Sequence, residues 1–302
     1  MKISRTVREA IQTVVFLLVV ALIVVAYVVY PLTKVKTTMA RADIEEYNAD
    51  SLMANDPALF VEAGFAADTF RVESDGLTTL ACLYIKPENL ASDSIRGTAF
   101  LLHADGDSRA DLLDLAGRLV DSNFAVVAID QRASGYSSGK YHGEGREEAD
   151  DLDAILSFLD LRAILKHPAV TVGFGLGGDA CLLAALDDQR IDASVVVDPY
   201  VTTKRMQNIL RKQYGVYWIP FYRSVMSFWY GIRSGYAAPY RKTENIKPVA
   251  CPTLLMVDTA SVQEEEFVRL IEVSGSTQLK VITTPTEREQ LLDQITAFVT
   301  RP

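Results

Sequence analysis

The chain has 302 residues, of which 49% are hydrophobic and 23% charged, and its formal net charge is −9. That length can bury a large core in one or two domains, and the composition excludes an intrinsically disordered chain. Residues 1–41 hold six basic residues and one acidic residue, so the remainder carries −14, which argues against nucleic acid as a partner.

The first predicted element is an apolar segment, residues 14–30, with seventeen residues that lack a charge or a strongly polar group. With residues 10–13 added, a helix here spans a hydrocarbon core roughly 30 Å thick. A buried core helix would keep a polar stripe, and a cleaved signal peptide would have a shorter apolar region and a small-residue cleavage site. We therefore predict one uncleaved transmembrane signal anchor within residues 1–36. Three basic residues flank it on each side, and those before it lie closer, which favours a cytoplasmic N terminus and an extracytoplasmic domain.

Residues 37–67 are predicted to form a spacer, helical over 37–52, that leads to a domain at residues 68–302. A hairpin opens this domain, since residues 68–72 and 77–85 flank an Asp-Gly turn. Apolar runs predict further strands at 97–103, 124–130, 170–173, 193–198, 253–258 and 279–283, and helices at 111–122, 146–161, 178–186 and 287–299. This alternation predicts an α/β fold with a mostly parallel sheet and helices on both faces.

One insertion, residues 200–247, interrupts the alternation. It holds both tryptophans and nine Lys or Arg residues against one Glu. It is either a lid that binds a small-molecule or protein ligand, an aromatic and basic surface that contacts lipid headgroups, or a pair of ordinary packing helices. As a docking surface it would expose an aromatic patch formed by Tyr217, Trp218, Phe221 and Trp229.

Cysteine and acidic residues give no metal or disulfide pattern, and no cofactor is predicted. The three cysteines are odd in number and lie in apolar patterns, so we expect buried free thiols. The acidic residues between 144 and 153 open a predicted helix, where negative charge is favourable at the positive end of the helix dipole.

The sequence of residues 170–185, VTVGFGLGGDACLLAA, combines a strand, a glycine-rich turn and a helix. This pattern is similar to the G-x-S-x-G elbow that presents the nucleophile of α/β-hydrolase-fold serine hydrolases. Further similarities are an Asp-Gly hairpin at 69–84, LLHADG at 101–106, DQRASGYS at 130–137, with Ala where Gly is usual, and CPTLL at 251–255. The chain thus resembles the membrane-anchored, serine-aminopeptidase-like branch of that family.

The resemblance implies a Ser, an acid and a His in that order, and all three positions are vacant. The apex of the elbow is Gly175, and the acid position after residue 258 falls near Ser261. The histidine loop, residues 285–289, reads Pro-Thr-Glu-Arg-Glu, and the three histidines of the chain all precede the elbow. The resemblance therefore predicts a non-catalytic pseudohydrolase.

Backbone amides near Ala104 and Leu176 are predicted to keep an oxyanion-hole-like binding site, with His103 fixing the loop before them. An alternative is an active esterase-like or peptidase-like hydrolase with a relocated nucleophile, either Ser137 with His142 or Cys181. Asp198 could occupy an alternative acid position. A third interpretation is a scaffold subunit of a membrane complex that docks through the insertion.

Overall fold

The computed structural model describes residues 5–32, 65–88, 90–139, 142–143, 145–202, 205–206, 208–209, 224, 228, 247–259 and 261–301. The predicted spacer helix at 37–52 and most of the insertion at 200–247, with its four named aromatic residues, lie outside these ranges. By contacts the chain divides into two compact units. The first comprises Met1–Val35 and Lys204–Pro239, and the second comprises Lys36–Thr203 and Tyr240–Pro302.

In the first unit, helix α1 covers Arg5–Leu32 and includes the apolar segment of residues 14–30. Large apolar side chains on this helix are exposed, among them Phe16 (66%) and Ile23 (63%). In the part of the chain that the structure describes, no helix meets the combined length and apolarity of a membrane crossing.

The second unit is built on one eight-stranded sheet in the order β1-β2-β4-β3-β5-β6-β7-β8. Strand β2 runs antiparallel to both of its neighbours, and the pairs from β4 to β8 are parallel, which confirms the predicted mostly parallel sheet. The strands are β1 (Phe65–Glu73), β2 (Thr79–Pro87), β3 (Gly97–Leu102), β4 (Phe124–Asp130), β5 (Ala169–Phe174), β6 (Ala193–Val197), β7 (Thr253–Val257) and β8 (Leu279–Thr283).

In the described part of this unit, four helices connect strands and a fifth follows β8. They are α2 (Leu113–Asp121), α3 (Arg146–Asp160), α4 (Gly175–Asp187), α5 (Glu265–Gln278) and α6 (Arg288–Val299). A 3₁₀ helix, Arg109–Leu112, precedes α2. The first two residues of the helix predicted at 111–122 are therefore in 3₁₀ conformation, and the α-helix begins at Leu113. Helix α5 was not predicted, although Phe267, Leu270 and Ile271 repeat at helical spacing.

One apolar layer covers each face of the sheet, so the central strands are buried on both faces. In β4, Val127 and Ile129 face the layer under α3, α4 and α5, whereas Val126 and Ala128 face the layer under α2 and α6. Such strands read as continuous apolar runs, which is why β3 and β4 could be predicted closely. The carboxyl ends of the parallel strands meet at one edge of the sheet, where α/β folds form ligand sites.

Candidate functional site

The turn between β5 and α4 has the predicted elbow geometry. Helix α4 begins at Gly175, directly after β5 ends at Phe174. The φ angle of Gly175 is +51°, a left-handed conformation that costs roughly 1–3 kcal/mol when the residue has a side chain. Glycine adopts this conformation freely, so the turn is kept without the strain and without a reactive atom.

Gly177 allows the first turn of α4 to approach the end of β3. A Cβ atom at this position would lie 2.6 Å from the carbonyl oxygen of His103 and 2.7 Å from that of Leu102. Both distances are well below van der Waals contact, so a larger residue would displace the backbone. The loop after β3 and the start of α4 are thereby held side by side, as an oxyanion hole requires.

The amides predicted to bind an anion, those of Ala104 and Leu176, lie on these two adjacent segments. Leu176 is in the first turn of α4, where amide groups have no acceptor within the helix. Ala104 follows β3 closely, and its Cβ lies 3.2 Å from the place of a Cβ atom on Gly175. The position of both residues fits the prediction, and their role in binding stays a prediction.

A carboxylate that sequence analysis did not single out lies beside the vacant nucleophile position. Oδ1 of Asp105 is 3.3 Å from the place of a Cβ atom on Gly175. This oxygen accepts a hydrogen bond of 2.8 Å from the hydroxyl of Tyr200. A negative charge here opposes the development of negative charge on a reacting carbonyl oxygen.

His103 forms two hydrogen bonds with the backbone around the loop after β3. The ring is fully buried, and burial lowers its pKa, so the imidazole is neutral at pH 7. Nε2 accepts a hydrogen bond of 3.1 Å from the amide of Gln131, which assigns the ring proton to Nδ1. Nδ1 then donates to the carbonyl oxygen of Ala104 at 2.7 Å. Both nitrogens bind the backbone, so His103 does not serve as a general base.

The loop after β7, where the acid of the triad is expected, contains a turn held by hydrogen bonds between two of its own residues. The amide of Ser261 donates to Oδ1 of Asp258 at 3.0 Å, and the Ser261 hydroxyl donates to Oδ2 of the same carboxylate. The Asp258 carboxylate thus stabilises a turn in its own loop.

Asp198, at the alternative acid position after β6, accepts a hydrogen bond of 3.0 Å from the hydroxyl of Thr284. Thr284 directly follows β8 and thus stands near the expected place of the histidine. A threonine hydroxyl has no basic nitrogen, so this pair cannot remove a proton from a nucleophile. The alternative acid position therefore holds a carboxylate, and the hydroxyl beside it, that of Thr284, cannot serve as a base.

Arg288 is the residue of the expected histidine loop that lines the site. Its Nη2 donates to the carbonyl oxygen of Asp111 at 2.9 Å and to Oδ2 of Asp114 at 3.2 Å. A guanidinium remains protonated in proteins, so Arg288 cannot act as a general base.

A cavity of about 330 Å³ lies at this edge of the sheet, beside Ala104 and Gly175. Its volume is within the range of sites that hold small molecules. Most of its wall is apolar, and its charged residues are Asp107, Asp111, Asp198 and Arg288. Partial burial, together with the carboxylates of Asp111 and Asp105, raises the pKa of Asp107 to about 6. A cavity large enough for a small molecule therefore lies beside the elbow glycine.

The alternative pair, Ser137 and His142, is not arranged for catalysis. The Ser137 hydroxyl donates to the carbonyl oxygen of Asp130 and accepts from the amide of Ala81 at 2.8 Å. His142 is buried, and its Nδ1 lies 3.3 Å from Oε1 of Glu148. Because the Ser137 proton is donated to a backbone carbonyl, this geometry argues against a Ser137–His142 nucleophile.

Cys181 is equally unsuited to nucleophilic attack. It is fully buried, and burial raises the pKa of its thiol to about 12, so the reactive thiolate does not form near neutral pH. The other two cysteines are also buried free thiols, as the sequence predicts.

The acidic residues at the start of α3 act within the fold. Glu148 accepts hydrogen bonds from the amides of Gly143 and Gly145, at 2.8 and 2.9 Å, and so caps the helix. Asp151 forms two hydrogen bonds of 2.7 Å with the guanidinium of Arg132. Among the residues that the structure describes, no group of three or more His, Cys, Asp or Glu side chains could hold a metal ion.

Comparison with solved structures identifies the class of fold. An esterase of Pyrococcus furiosus, Pf2001, has 18% sequence identity and a TM-score of 0.61, covering 80% of this chain and 95% of the esterase. A proline iminopeptidase of Mycobacterium smegmatis has 10% identity and a TM-score of 0.53, covering 77% and 96%. An α/β hydrolase of a Penicillium species has 15% identity and a TM-score of 0.53, covering 78% and 98%. These similarities define an α/β-hydrolase fold.

The sequence assigns the family within that fold. The family model described as serine aminopeptidase, S33, matches residues 93–247, just over half of the chain. The chain therefore belongs to the serine aminopeptidase S33 family, which confirms the predicted family. A search of curated proteins finds no match.

Proposed function

We propose that this chain is a pseudohydrolase that binds a small molecule and does not cleave it. The binding site is the cavity beside Ala104 and Gly175, which we call the elbow cavity. The observation that carries the proposal is the replacement of the nucleophile by Gly175. The base is replaced as well, since Thr284 and Arg288 take the places around the expected histidine. Esterase and iminopeptidase activities, which the names of two similar structures state, require the groups that are missing here.

The energetics of catalysis support the same conclusion. When a whole triad is removed, binding and the oxyanion hole leave about 10³–10⁴-fold acceleration over water. In this chain the Asp105 carboxylate beside the elbow opposes oxyanion formation and reduces that remainder. The cavity of about 330 Å³, by contrast, keeps the capacity to enclose a ligand.

Hydrolysis of nitrophenyl esters tests this function directly. The full chain is compared with Gly175→Ser, which restores a hydroxyl at the apex, and with Ser137→Ala and His142→Ala. Gly117→Ser is the matched control, because a Cβ at Gly117 meets nothing within 4 Å. We expect all five proteins to hydrolyse the ester at the same low rate. Turnover of the parent that His142→Ala abolishes would instead establish the relocated site and overturn the proposal.

We further propose that residues 14–30 anchor the chain in a membrane as a single span, with the domain on the extracytoplasmic side. The support is the uncharged sequence together with the exposure of Phe16, Leu18 and Ile23 on α1. Side chains of this kind gain free energy when they leave water.

Alkaline carbonate extraction of membranes from expressing cells tests the anchor. The full chain should remain in the membrane pellet, and the double variant Leu18→Arg, Ile23→Arg should be released, since charge at the centre of a span is costly. Release of the parent chain by carbonate would contradict the anchor. Protease accessibility from the outside of intact cells then tests the orientation.

A further inference from the structure

The space into which a side chain at Gly175 would point is covered by two side chains from distant parts of the chain. The atoms nearest to the place of a Cβ atom on Gly175 are Ala104 Cβ, at 3.2 Å, and Asp105 Oδ1, at 3.3 Å. The same oxygen accepts the hydrogen bond of 2.8 Å from the Tyr200 hydroxyl. Neither residue of this Asp105–Tyr200 pair belongs to the lining of the elbow cavity.

Tyr200 is held in place by a buried carboxylate on the elbow helix itself. Asp179, in the second turn of α4, is only 4% exposed. Its Oδ2 accepts a hydrogen bond of 2.8 Å from the amide of Tyr200, and its Oδ1 accepts one of 2.7 Å from the amide of Val201. Hydrogen bonds to a charged acceptor are roughly twice as strong as those between neutral groups. Gly145 packs closely on the other side, since a Cβ atom there would lie 2.6 Å from Asp179 Cβ.

The backbone of the loop after β6 is strained around Tyr200. The φ angle of Asp198 is +46° and that of Val201 is +65°. A left-handed conformation is a rare exception for a β-branched residue such as valine. Such strain persists only where the surrounding contacts determine the conformation, and the two amide hydrogen bonds to Asp179 are contacts of this kind.

We propose that Tyr200 and Asp179 are positioning residues that keep the Asp105 carboxylate over the elbow apex, so that the protein itself closes the place where a hydrolase holds the reacting group of its substrate. Asp179 fixes the backbone of Tyr200, and the Tyr200 hydroxyl fixes Asp105. A nucleophile restored at position 175 would therefore remain shielded from an acyl group, which must come within about 3 Å of it to react. The inference goes beyond ligand binding in the elbow cavity, because the pair lies outside the lining of that cavity.

Thiol labelling at the apex tests this closure. Gly175→Cys in the full chain places a thiol beside Asp105, and its rate of reaction with iodoacetamide is followed by mass spectrometry in a non-ionic detergent. The three native cysteines are buried and should not react in the folded chain. The new Cβ requires its neighbours to shift by a few tenths of an ångström, which the Tyr200–Asp105 hydrogen bond of 2.8 Å can accommodate.

Tyr200→Phe, added to Gly175→Cys, removes one hydroxyl and keeps both amide hydrogen bonds to Asp179. We expect the apex thiol to react about five- to tenfold faster, as the loss of one hydrogen bond to a carboxylate implies. Asp179→Asn leaves one oxygen acceptor for two amides and should accelerate the reaction as well. Because both residues act through Asp105, neither substitution should add to the effect of Asp105→Ala.

Two controls separate closure of the apex from a general loss of structure. Gly117→Cys places a thiol on α2 in open space, and its reaction rate should be the same with and without Tyr200→Phe. Cys181 lies on the same helix as the apex and is fully buried, so its labelling reports unfolding of α4. It should stay unlabelled in Tyr200→Phe.

Equal rates at the apex with and without Tyr200→Phe would overturn the inference, as would an acceleration that Gly117→Cys or Cys181 shares. An effect of Tyr200→Phe that persists in Asp105→Ala would also overturn it, because Tyr200 would then act by another route. Each of these results leaves ligand binding in the elbow cavity intact. The proposed function fails by a different result, which is turnover of an ester by the parent chain.

Discussion

The geometry at Gly175 predicts how much a side chain at the vacant nucleophile position destabilises the domain. In Gly175→Ala the left-handed backbone, at φ of +51°, costs roughly 1–2 kcal/mol. The new Cβ would meet Ala104 Cβ at 3.2 Å and Asp105 Oδ1 at 3.3 Å, which is tight and needs a shift of a few tenths of an ångström. We therefore expect Gly175→Ala to lose about 1–3 kcal/mol of unfolding free energy in total.

Alanine substitutions at two other glycines should change the unfolding free energy by more and by less than Gly175→Ala does. Gly177→Ala places a Cβ 2.6 Å from a backbone oxygen, so the loss should exceed that of Gly175→Ala, towards the upper end of about 1–3 kcal/mol for overpacking. Gly117→Ala lies inside α2 with open space around it and should stabilise the chain by about 0.5–1 kcal/mol. Denaturant unfolding of the full chain at fixed detergent concentration measures all three. The reasoning is refuted if Gly175→Ala is as stable as Gly117→Ala.

Three further predictions concern buried polar groups. Asp151→Asn removes the buried charged partner of the Arg132 guanidinium, which keeps only the longer ion pair of 3.4 Å with the half-exposed Asp75, and should cost about 3 kcal/mol in denaturant unfolding. Asp293→Asn, at an exposed ion pair, should cost less than about 1 kcal/mol. Burial raises the pKa of Glu147 to about 7, above its unfolded value, so its stabilising contribution is complete below about pH 4.5 and is lost as the pH rises through 7. Glu147→Gln should remove that part of the pH dependence, and an unchanged stability profile would contradict it. The three buried cysteines should react with a thiol reagent only as the domain unfolds, and rapid labelling of the native chain would contradict their burial.

The strands and the elbow were predictable because their signals are local. The first six residues of β4 form an apolar run that Asp130 ends, and the glycines around position 175 mark the turn in the sequence itself. Helix α5 was missed although Phe267 and Leu270 repeat at helical spacing, since the only strong turn signal nearby, Gly275, falls inside the helix. The insertion at 200–247 remains a prediction.

The chemistry of the cavity could not be predicted, because its pairs join distant parts of the chain. Tyr200 and Asp105 are 95 residues apart, and Thr284 and Asp198 are 86 residues apart. Each pair meets only because the sheet order brings the carboxyl ends of their strands to one edge. The sequence predicts that the triad positions are vacant, and the structure adds the carboxylates and the arginine that line the cavity beside them.

The central claim is that no activated nucleophile remains, and a fluorophosphonate probe tests it most directly. The probe labels a serine whose hydroxyl is activated by a base, so the full chain and Gly175→Ser are treated side by side and analysed by mass spectrometry. We predict that neither is labelled, because Gly175 has no side chain and the nearest groups around a side chain placed there are Ala104 and the carboxylate of Asp105, not a histidine. Labelling of the parent chain at a defined serine would contradict the account and identify the relocated nucleophile.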